Sequence, residues 1–137
     1  MLKSINHIGI AVKNLEDSMI LFRKIFQPDN IHRETVEAQK VSVASFKVGN
    51  VLVELTAPTD ESSPIAKFIE KRGEGIHHIA FESDDIASEL DKLKNNNVQL
   101  INETPQPGAH DLLIAFLHPK STNGVLMEIC QESLKTK

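Results

Sequence analysis

An internal repeat most strongly constrains the fold of this chain. Two pairs of short segments match each other: NHIGI matches HHIAF, and VLVEL matches VLMEI. In the first copy His7 precedes Glu54 by 47 positions, and in the second His78 precedes Glu128 by 50. Short apolar runs can resemble one another by chance, but two landmarks with nearly constant spacing favour a duplicated unit.

Each copy of the repeat has the same predicted order of elements: a strand, a helix and then three strands. The helices are predicted at Leu15–Phe26 and Ile86–Lys94, where apolar residues recur at helical spacing after an Asn or Asp cap. The three further strands are predicted at 31–35, 41–48 and 51–56 in the first copy and at 98–101, 112–118 and 125–130 in the second. The sequence therefore predicts an α+β fold.

A third helix is predicted between the two copies. Ser63 is its N-cap, Pro64 takes the first helical position, and the helix runs to Arg72 before Gly73. We therefore expect a single domain over 1–137. Its parts are module one at about 3–58, a linking helix at about 63–73 and module two at about 75–131.

Charge and composition exclude several classes of function. The 137 residues include 15 Lys and Arg against 19 Asp and Glu, and this net charge of -4 argues against a general nucleic-acid-binding protein. The only cysteine, Cys130, allows no intramolecular disulfide, which favours an intracellular protein. No segment approaches the roughly 18 apolar residues of a membrane span. We expect a cytoplasmic protein with neither nucleic acid nor membrane as a partner.

A glutamate in an apolar strand requires an explanation, because burying a carboxylate without a compensating partner costs several kcal/mol. A single such glutamate is usually solvent-exposed, and a single histidine in an apolar strand is usually a core residue. Here His7, Glu54, His78 and Glu128 occupy matching places, and a pseudo-two-fold arrangement would bring all four to one point. Two imidazoles and two carboxylates suit a divalent transition metal that keeps water in its open positions.

Longer blocks of the sequence resemble a known family. The blocks are HIGIAV at 7–12, VELTAP at 53–58, SPIAKF at 63–68, GEGIHHIAF at 73–81, PGAH at 107–110, FLHPKS at 116–121 and GVLME at 124–128. They are similar to the vicinal oxygen chelate (glyoxalase/bleomycin resistance/dioxygenase) superfamily and, within it, to the methylmalonyl-CoA epimerase family. The resemblance implies two βαβββ modules that form a curved mixed sheet around a central metal site, and a homodimer.

The resemblance also implies a ligand set and a reaction. By position, the metal ligands are His7, Glu54, His78 and Glu128, and cobalt, manganese, nickel, zinc or iron would suit them. The implied reaction interconverts the (2R) and (2S) forms of methylmalonyl-CoA, an acyl-CoA, through an enolate that a divalent metal stabilises. Inversion requires a proton acceptor and a proton donor on opposite faces of the carbon. We assign these catalytic roles to Glu128 and Glu54.

Two departures from the family pattern affect these assignments. Val43 stands where some members carry a second, non-ligating glutamate, so either Glu54 or a bound water has to serve as the second base. Lys40 stands where the family commonly has glycine. Lys40 and Lys120 are our candidates for binding the anionic groups of the substrate; the alternative for each is a solvated surface charge.

Other functions of the same fold remain as alternatives. A glyoxalase I-like lactoylglutathione lyase would use a similar metal set, although the GAH and HPKS blocks favour the epimerase. An extradiol dioxygenase typically needs two histidines and one carboxylate around iron, and Glu54 would be a fourth ligand. A non-catalytic small-molecule-binding protein would need no metal, so the retention of all four donor residues argues against it.

Overall fold

The computed structural model of the protein describes residues 1–133. Its helices and strands, in chain order, are β1 (Leu2–Ala11), α1 (Leu15–Phe26), β2 (His32–Val36), β3 (Val41–Val48), β4 (Val51–Pro58), α2 (Pro64–Arg72), β5 (Gly75–Ser83), α3 (Ile86–Asn95), β6 (Gln106–Pro107), β7 (Leu112–Leu117) and β8 (Met127–Glu132). The α+β class and the two βαβββ modules are confirmed. Residues 1–133 form two compact units: His7–His77 is one, and Met1–Asn6 with 78–133 is the other.

In the unit His7–His77 the strands lie in the order β2-β3-β4-β1. β1 runs parallel to β4, whereas β3 is antiparallel to both β2 and β4. The turn between β3 and β4 has Gly49 at φ 63, a left-handed conformation that glycine adopts without a steric penalty. This half of the sheet is mixed, as predicted.

Helix α1 covers one face of this half-sheet. It begins where the Asn14 side chain accepts a hydrogen bond of 3.0 Å from the Asp17 backbone N–H, and it occupies the predicted range. Its buried side chains pack in one cluster with residues of β3, β4 and the segment after β1: Val12, Leu15, Met19, Ala44, Leu55 and Ala57. Because strand residues alternate between faces, the neighbours of these strand residues lie on the face away from α1.

The second unit repeats this arrangement. Its strands lie in the order β5-β8-β7-β6, with β5 parallel to β8 and β7 antiparallel to both β6 and β8. Asp85 caps α3 by accepting a hydrogen bond of 3.1 Å from the Ser88 backbone N–H. The helix packs on one face of the half-sheet through a cluster made of Ile86, Leu90, Ala115, Leu117 and Ile129.

The strand predicted at 98–101 is wrong. This segment makes only an isolated bridge between Leu100 and Leu117. The strand that pairs with the outer edge of β7 is instead the two-residue β6. The Phe116 backbone N–H donates to the Asn102 side-chain oxygen at 2.8 Å instead of to a backbone carbonyl, which ends the pairing along β7. Two short segments therefore share the edge of β7 that one strand was expected to cover.

Helix α2 follows its predicted signals. Ser63 Oγ accepts a hydrogen bond of 3.1 Å from the Ile65 backbone N–H, and the helix ends before Gly73 at φ 78. No helix within residues 1–133 is long and apolar enough to cross a membrane. The expected single domain over 1–137 stays a prediction, and its last four positions lie outside the described residues.

Candidate metal centre and active site

The first predicted pair, His7 and Glu54, comes together within the unit His7–His77. The parallel register of β1 and β4 places Gly9 beside Glu54, so His7 lies two residues earlier on the same face. His7 Nε2 is 3.7 Å from Glu54 Oε1. Both side chains are buried, with exposures of 3% and 5%. They lie on the face away from α1.

The second predicted pair, His78 and Glu128, comes together in the same way in the other unit. Ala80 pairs with Glu128 across the parallel strands β5 and β8, and His78 again lies two residues earlier. His78 Nε2 is 3.3 Å from Glu128 Oε1, and both side chains are buried. The Phe116 ring meets the His78 ring edge-on at a centroid distance of 5.6 Å, which restricts the rotation of the imidazole.

The donor chemistry of each pair fits a divalent transition metal. An imidazole nitrogen and a carboxylate oxygen that both lie about 2.1 Å from one ion are roughly 3.0–3.4 Å apart at ordinary coordination angles. The observed separations of 3.3 Å and 3.7 Å are close to that range. Each unit therefore presents one nitrogen and one oxygen atom at a separation that would suit a single ion.

The faces that carry the two pairs differ in polarity. Around Glu54, the register places Ser45 directly opposite on β3, and Thr56 follows on the same face. Thr56 Oγ1 is buried and has no hydrogen-bond partner among the described residues. At the matching place after Glu128 stands Cys130, which belongs to an apolar cluster with Ala80, Leu112 and Ile114. The face around Glu54 is therefore polar, whereas the face around Glu128 is apolar.

His77 lies beside a predicted ligand but has a different environment. Its ring meets Phe68 of α2 edge-on at a centroid distance of 4.9 Å. Burial lowers the pKa of His77 from 6.5 to about 4, because desolvation disfavours the charged imidazolium. His77 is therefore a neutral packing residue at physiological pH.

Lys40, a predicted substrate-binding residue, lies at the end of the short 3-10 turn Glu37–Gln39 with φ 56. Its Nζ donates a hydrogen bond of 2.5 Å to Ser62 Oγ, and Ser62 Oγ in turn donates to Asp60 at 2.6 Å. The hydrogen bonds from Ser62 lower the pKa of Asp60, which keeps this exposed carboxylate ionised. The charge of Lys40 is therefore already partly balanced.

Lys120, the other predicted substrate-binding residue, is exposed on the 3-10 turn Pro119–Ser121. His118 caps this turn, because its Nδ1 accepts a hydrogen bond of 3.1 Å from the Lys120 backbone N–H. The cap fixes the backbone while the ammonium group stays in solvent. Lys120 is thus better placed than Lys40 to meet an incoming anion.

Two features were not identified from the sequence. His110 and Asp111 both have left-handed backbone conformations, with φ 59 and φ 57, which non-glycine residues adopt at an energetic cost. Just before them, a Cβ at Gly108 would lie 2.9 Å from the Ile114 side chain, so any larger residue there would force Ile114 to shift. The PGAH block contained this glycine as a signal. For the hydroxyl of Thr56, which has no hydrogen-bond partner among the described residues, the sequence contained only a weak indication: Thr56 lies on the same strand face as Glu54.

Comparison with known proteins agrees with this geometry. The family model described as the Glyoxalase/Bleomycin resistance protein/Dioxygenase superfamily matches residues 6–116. The chain is 42% identical over 128 residues to the mitochondrial methylmalonyl-CoA epimerase of Dictyostelium discoideum, covering 91% of this chain and 76% of that protein. It is 36% identical to an ethylmalonyl-CoA/methylmalonyl-CoA epimerase of Cereibacter sphaeroides, covering 96% and 99%.

A solved structure is similar throughout the chain. It is a methylmalonyl-CoA epimerase in complex with methylmalonyl-CoA and NH4+; it is 33% identical, has a TM-score of 0.93, and the match covers 98% of this chain and 97% of that one. Such identity over nearly the full length of both chains goes beyond a shared fold. The chain therefore belongs to the glyoxalase/bleomycin resistance/dioxygenase superfamily and, within it, to the methylmalonyl-CoA epimerase family.

Proposed function

We propose that this protein is a methylmalonyl-CoA epimerase, which interconverts the (2R) and (2S) forms of methylmalonyl-CoA. The observation that carries the proposal is the presence of two buried His–Glu pairs of matching geometry, at 3.7 Å and 3.3 Å, in a member of this family. The Cereibacter relative, which is named for both ethylmalonyl-CoA and methylmalonyl-CoA, extends the substrate class to other 2-alkylmalonyl-CoA esters.

The proposed ligands of the metal are His7, Glu54, His78 and Glu128. A bound divalent ion supplies a Lewis acid that stabilises the negative charge developing on the thioester oxygen. Cobalt, manganese, nickel, zinc and iron all accept nitrogen and carboxylate donors. Burial of the four side chains supports the proposal, because carboxylates and imidazoles in such surroundings need a cation or a hydrogen-bond donor.

Epimerisation moves a proton off one face of the 2-carbon and returns a proton to the other face. We assign the two proton-transfer roles to Glu54 and Glu128. They come from matching positions of the two modules, which supports their action on opposite faces. A bound water is the alternative to Glu54 as the second base.

The anionic parts of the substrate need cationic partners at the protein surface, because the chain as a whole is acidic. Lys120 is the first candidate, since its ammonium group is exposed on a capped turn. Lys40 is the second, and its hydrogen bond to Ser62 would have to rearrange. A cytoplasmic homodimer is the form that we expect in the cell, from the lone buried Cys130 and from the family resemblance.

Proton exchange in deuterium oxide tests the proposal directly. The protein, with and without a divalent metal and a chelator, is mixed with one epimer of methylmalonyl-CoA, and deuterium uptake and inversion at the 2-carbon are followed. Metal-dependent uptake with inversion is the expected result. No uptake with any metal, despite a bound ion, would contradict the proposal, and an assay with the methylglyoxal–glutathione hemithioacetal would then test the lyase alternative.

A further inference from the structure

The hydroxyl of Thr56 is buried without a hydrogen-bond partner, which is uncommon for a polar group inside a protein. Thr56 is 4% exposed, and its Oγ1 has no partner among the described residues. Its backbone is engaged, because the Thr56 carbonyl accepts a hydrogen bond of 3.0 Å from the Val12 N–H. Most buried polar side-chain atoms have a partner, and an exception calls for an explanation such as a role in binding or catalysis.

The neighbours of Thr56 across the sheet cannot satisfy this hydroxyl. Thr56 pairs with Val43 on β3 and with Ala11 on β1. Both neighbours are buried, and neither side chain has a polar atom. The pairing on both sides also holds β4 in place, so the side chain of Thr56 cannot turn to the other face of the sheet. An acceptor for the hydroxyl therefore has to come from outside these three strands.

The fold does not require a hydroxyl at this position. In the second unit the matching residue, two positions after Glu128, is Cys130, which packs in an apolar cluster with Ala80 and Leu112. An apolar residue is thus compatible with this place in a βαβββ module. Burying a hydroxyl without a partner lowers stability, which favours a functional reason for Thr56 over a structural one.

Thr56 lies beside Glu54 on the face that carries the proposed metal ligands of this unit. Residues two apart in a strand share a face, and their Cα atoms are about 6.6 Å apart. A molecule bound beside Glu54 can therefore reach the Thr56 hydroxyl. The proposed substrate has a free carboxylate, whose oxygens are strong hydrogen-bond acceptors. A neutral donor suits this place, because a lysine or arginine here would repel a divalent cation.

We propose that Thr56 determines specificity for the free carboxylate of 2-alkylmalonyl-CoA esters, because its Oγ1 donates a hydrogen bond to a carboxylate oxygen of the substrate. The inference rests on the proposed function, from which it takes the class of substrate. It gives Thr56 a role in binding and none in proton transfer, so Glu54 and Glu128 keep the roles assigned above. An ordinary acyl-CoA lacks this carboxylate and leaves the hydroxyl without an acceptor, which disfavours its binding.

Malonyl-CoA and acetyl-CoA differ only in this carboxylate, and neither has a stereogenic 2-carbon that the protein could invert during the measurement. Binding of each ester to the wild type, Thr56→Val and Thr56→Ser is measured by calorimetry with the same divalent metal present. Thr56→Val should weaken the binding of malonyl-CoA by about 10–100-fold, as expected for loss of a hydrogen bond to a charged group. It should leave the binding of acetyl-CoA unchanged. Thr56→Ser keeps the hydroxyl and should retain most of the affinity for malonyl-CoA.

Thr35→Val is the matched control. Thr35 is exposed on β2 and pairs with Ser42, on the face of the sheet opposite to Thr56, so its replacement should change neither affinity. The metal content of each variant is measured and should equal that of the wild type. Equal weakening of both esters by Thr56→Val, or weakening of neither, would overturn the inference. A wild type that binds malonyl-CoA no better than acetyl-CoA would overturn it as well.

Failure of the proposed function would give a different result. A wild type that binds malonyl-CoA through Thr56 but does not invert methylmalonyl-CoA would contradict the epimerase proposal alone. An active wild type whose Thr56→Val variant binds both esters normally would contradict the role of Thr56 alone.

Discussion

His78 Nε2 lies 3.3 Å from Glu128 Oε1 in one unit, and His7 Nε2 lies 3.7 Å from Glu54 Oε1 in the other. In both units the same parallel-strand register produces the pair. The duplicated backbone therefore brings each histidine and its glutamate to the same face of neighbouring strands. Their proposed role as a joint ligand set makes specific experiments possible.

Removing one histidine should remove the metal. His78→Ala should lower metal affinity by more than the ~10–100-fold that is typical for loss of a group supporting a ligand. Titration of the chelated protein with metal, followed by elemental analysis, measures this. Asn30→Ala, at an exposed position before β2, is the control and should bind metal normally. Retention of wild-type affinity in His78→Ala would show that His78 is not a ligand.

Replacing either glutamate by glutamine should separate metal binding from proton transfer. An amide oxygen can still coordinate the metal, but it is not a base, so inversion should fall by about 10²–10⁴-fold in Glu54→Gln and in Glu128→Gln. Each variant should still exchange the 2-hydrogen of one epimer, because the other glutamate remains.

Following solvent deuterium uptake separately for the two epimers measures this difference. Glu103→Gln, at an exposed position, is the matched control. Normal inversion by Glu54→Gln would remove Glu54 from the mechanism and favour a bound water as the second base.

The burial of His77 should make the apoprotein less stable in acid. Its folded-state pKa of about 4 lies below the value of 6.5 for the unfolded chain, so between these pH values only the unfolded chain takes up the proton. The free energy of unfolding should therefore fall as the pH drops from about 6.5 to about 4, by at most about 3 kcal/mol. Urea denaturation in the presence of a chelator measures it.

His77→Gln should flatten this part of the pH profile. Asn30→Gln is the control, because Asn30 is exposed and does not titrate, so its replacement should leave the profile unchanged. An unchanged slope in His77→Gln would mean that other groups cause the acid sensitivity.

Thr56→Val should stabilise the protein. The variant keeps the shape of the side chain and removes a buried hydroxyl that has no hydrogen-bond partner among the described residues. The expected gain in the free energy of unfolding is about 1 kcal/mol, measured by denaturant titration. Thr59→Val, at an exposed position, should change stability little. A loss of stability in Thr56→Val would reveal a partner for the hydroxyl.

Local sequence signals predicted the helices closely. The cap residues Asn14, Ser63 and Asp85 each accept a backbone hydrogen bond where a helix was expected to begin. Capping depends on nearest neighbours in the chain, and the sequence states those directly. The start of β8 was less predictable. The Val125 backbone N–H donates to the Thr122 carbonyl in a turn, so β8 begins two residues later than its apolar run.

The candidate site was predictable because it is duplicated. Neither Glu54 nor Glu128 would have been distinctive alone, but their nearly constant spacing from His7 and His78 predicted that the four residues act together. The partnerless hydroxyl of Thr56 depends on what lies opposite it across strands, and Val43 occupies that place. Such cross-strand neighbours are set by register, which the sequence does not give for strands far apart in the chain.

The parallel pairing of β1 with β4 also has a consequence for the order of events during folding. His7 pairs in register with Leu52, and the segment that contains α1, β2 and β3 lies between them in the chain. This segment therefore has to be closed into a loop, folded or unfolded, before β1 and β4 can pair. Contacts between residues so distant in sequence form late, because closing the intervening loop costs chain entropy. Each histidine thus reaches its glutamate only when its own unit is complete, and metal uptake should follow chain folding instead of nucleating it.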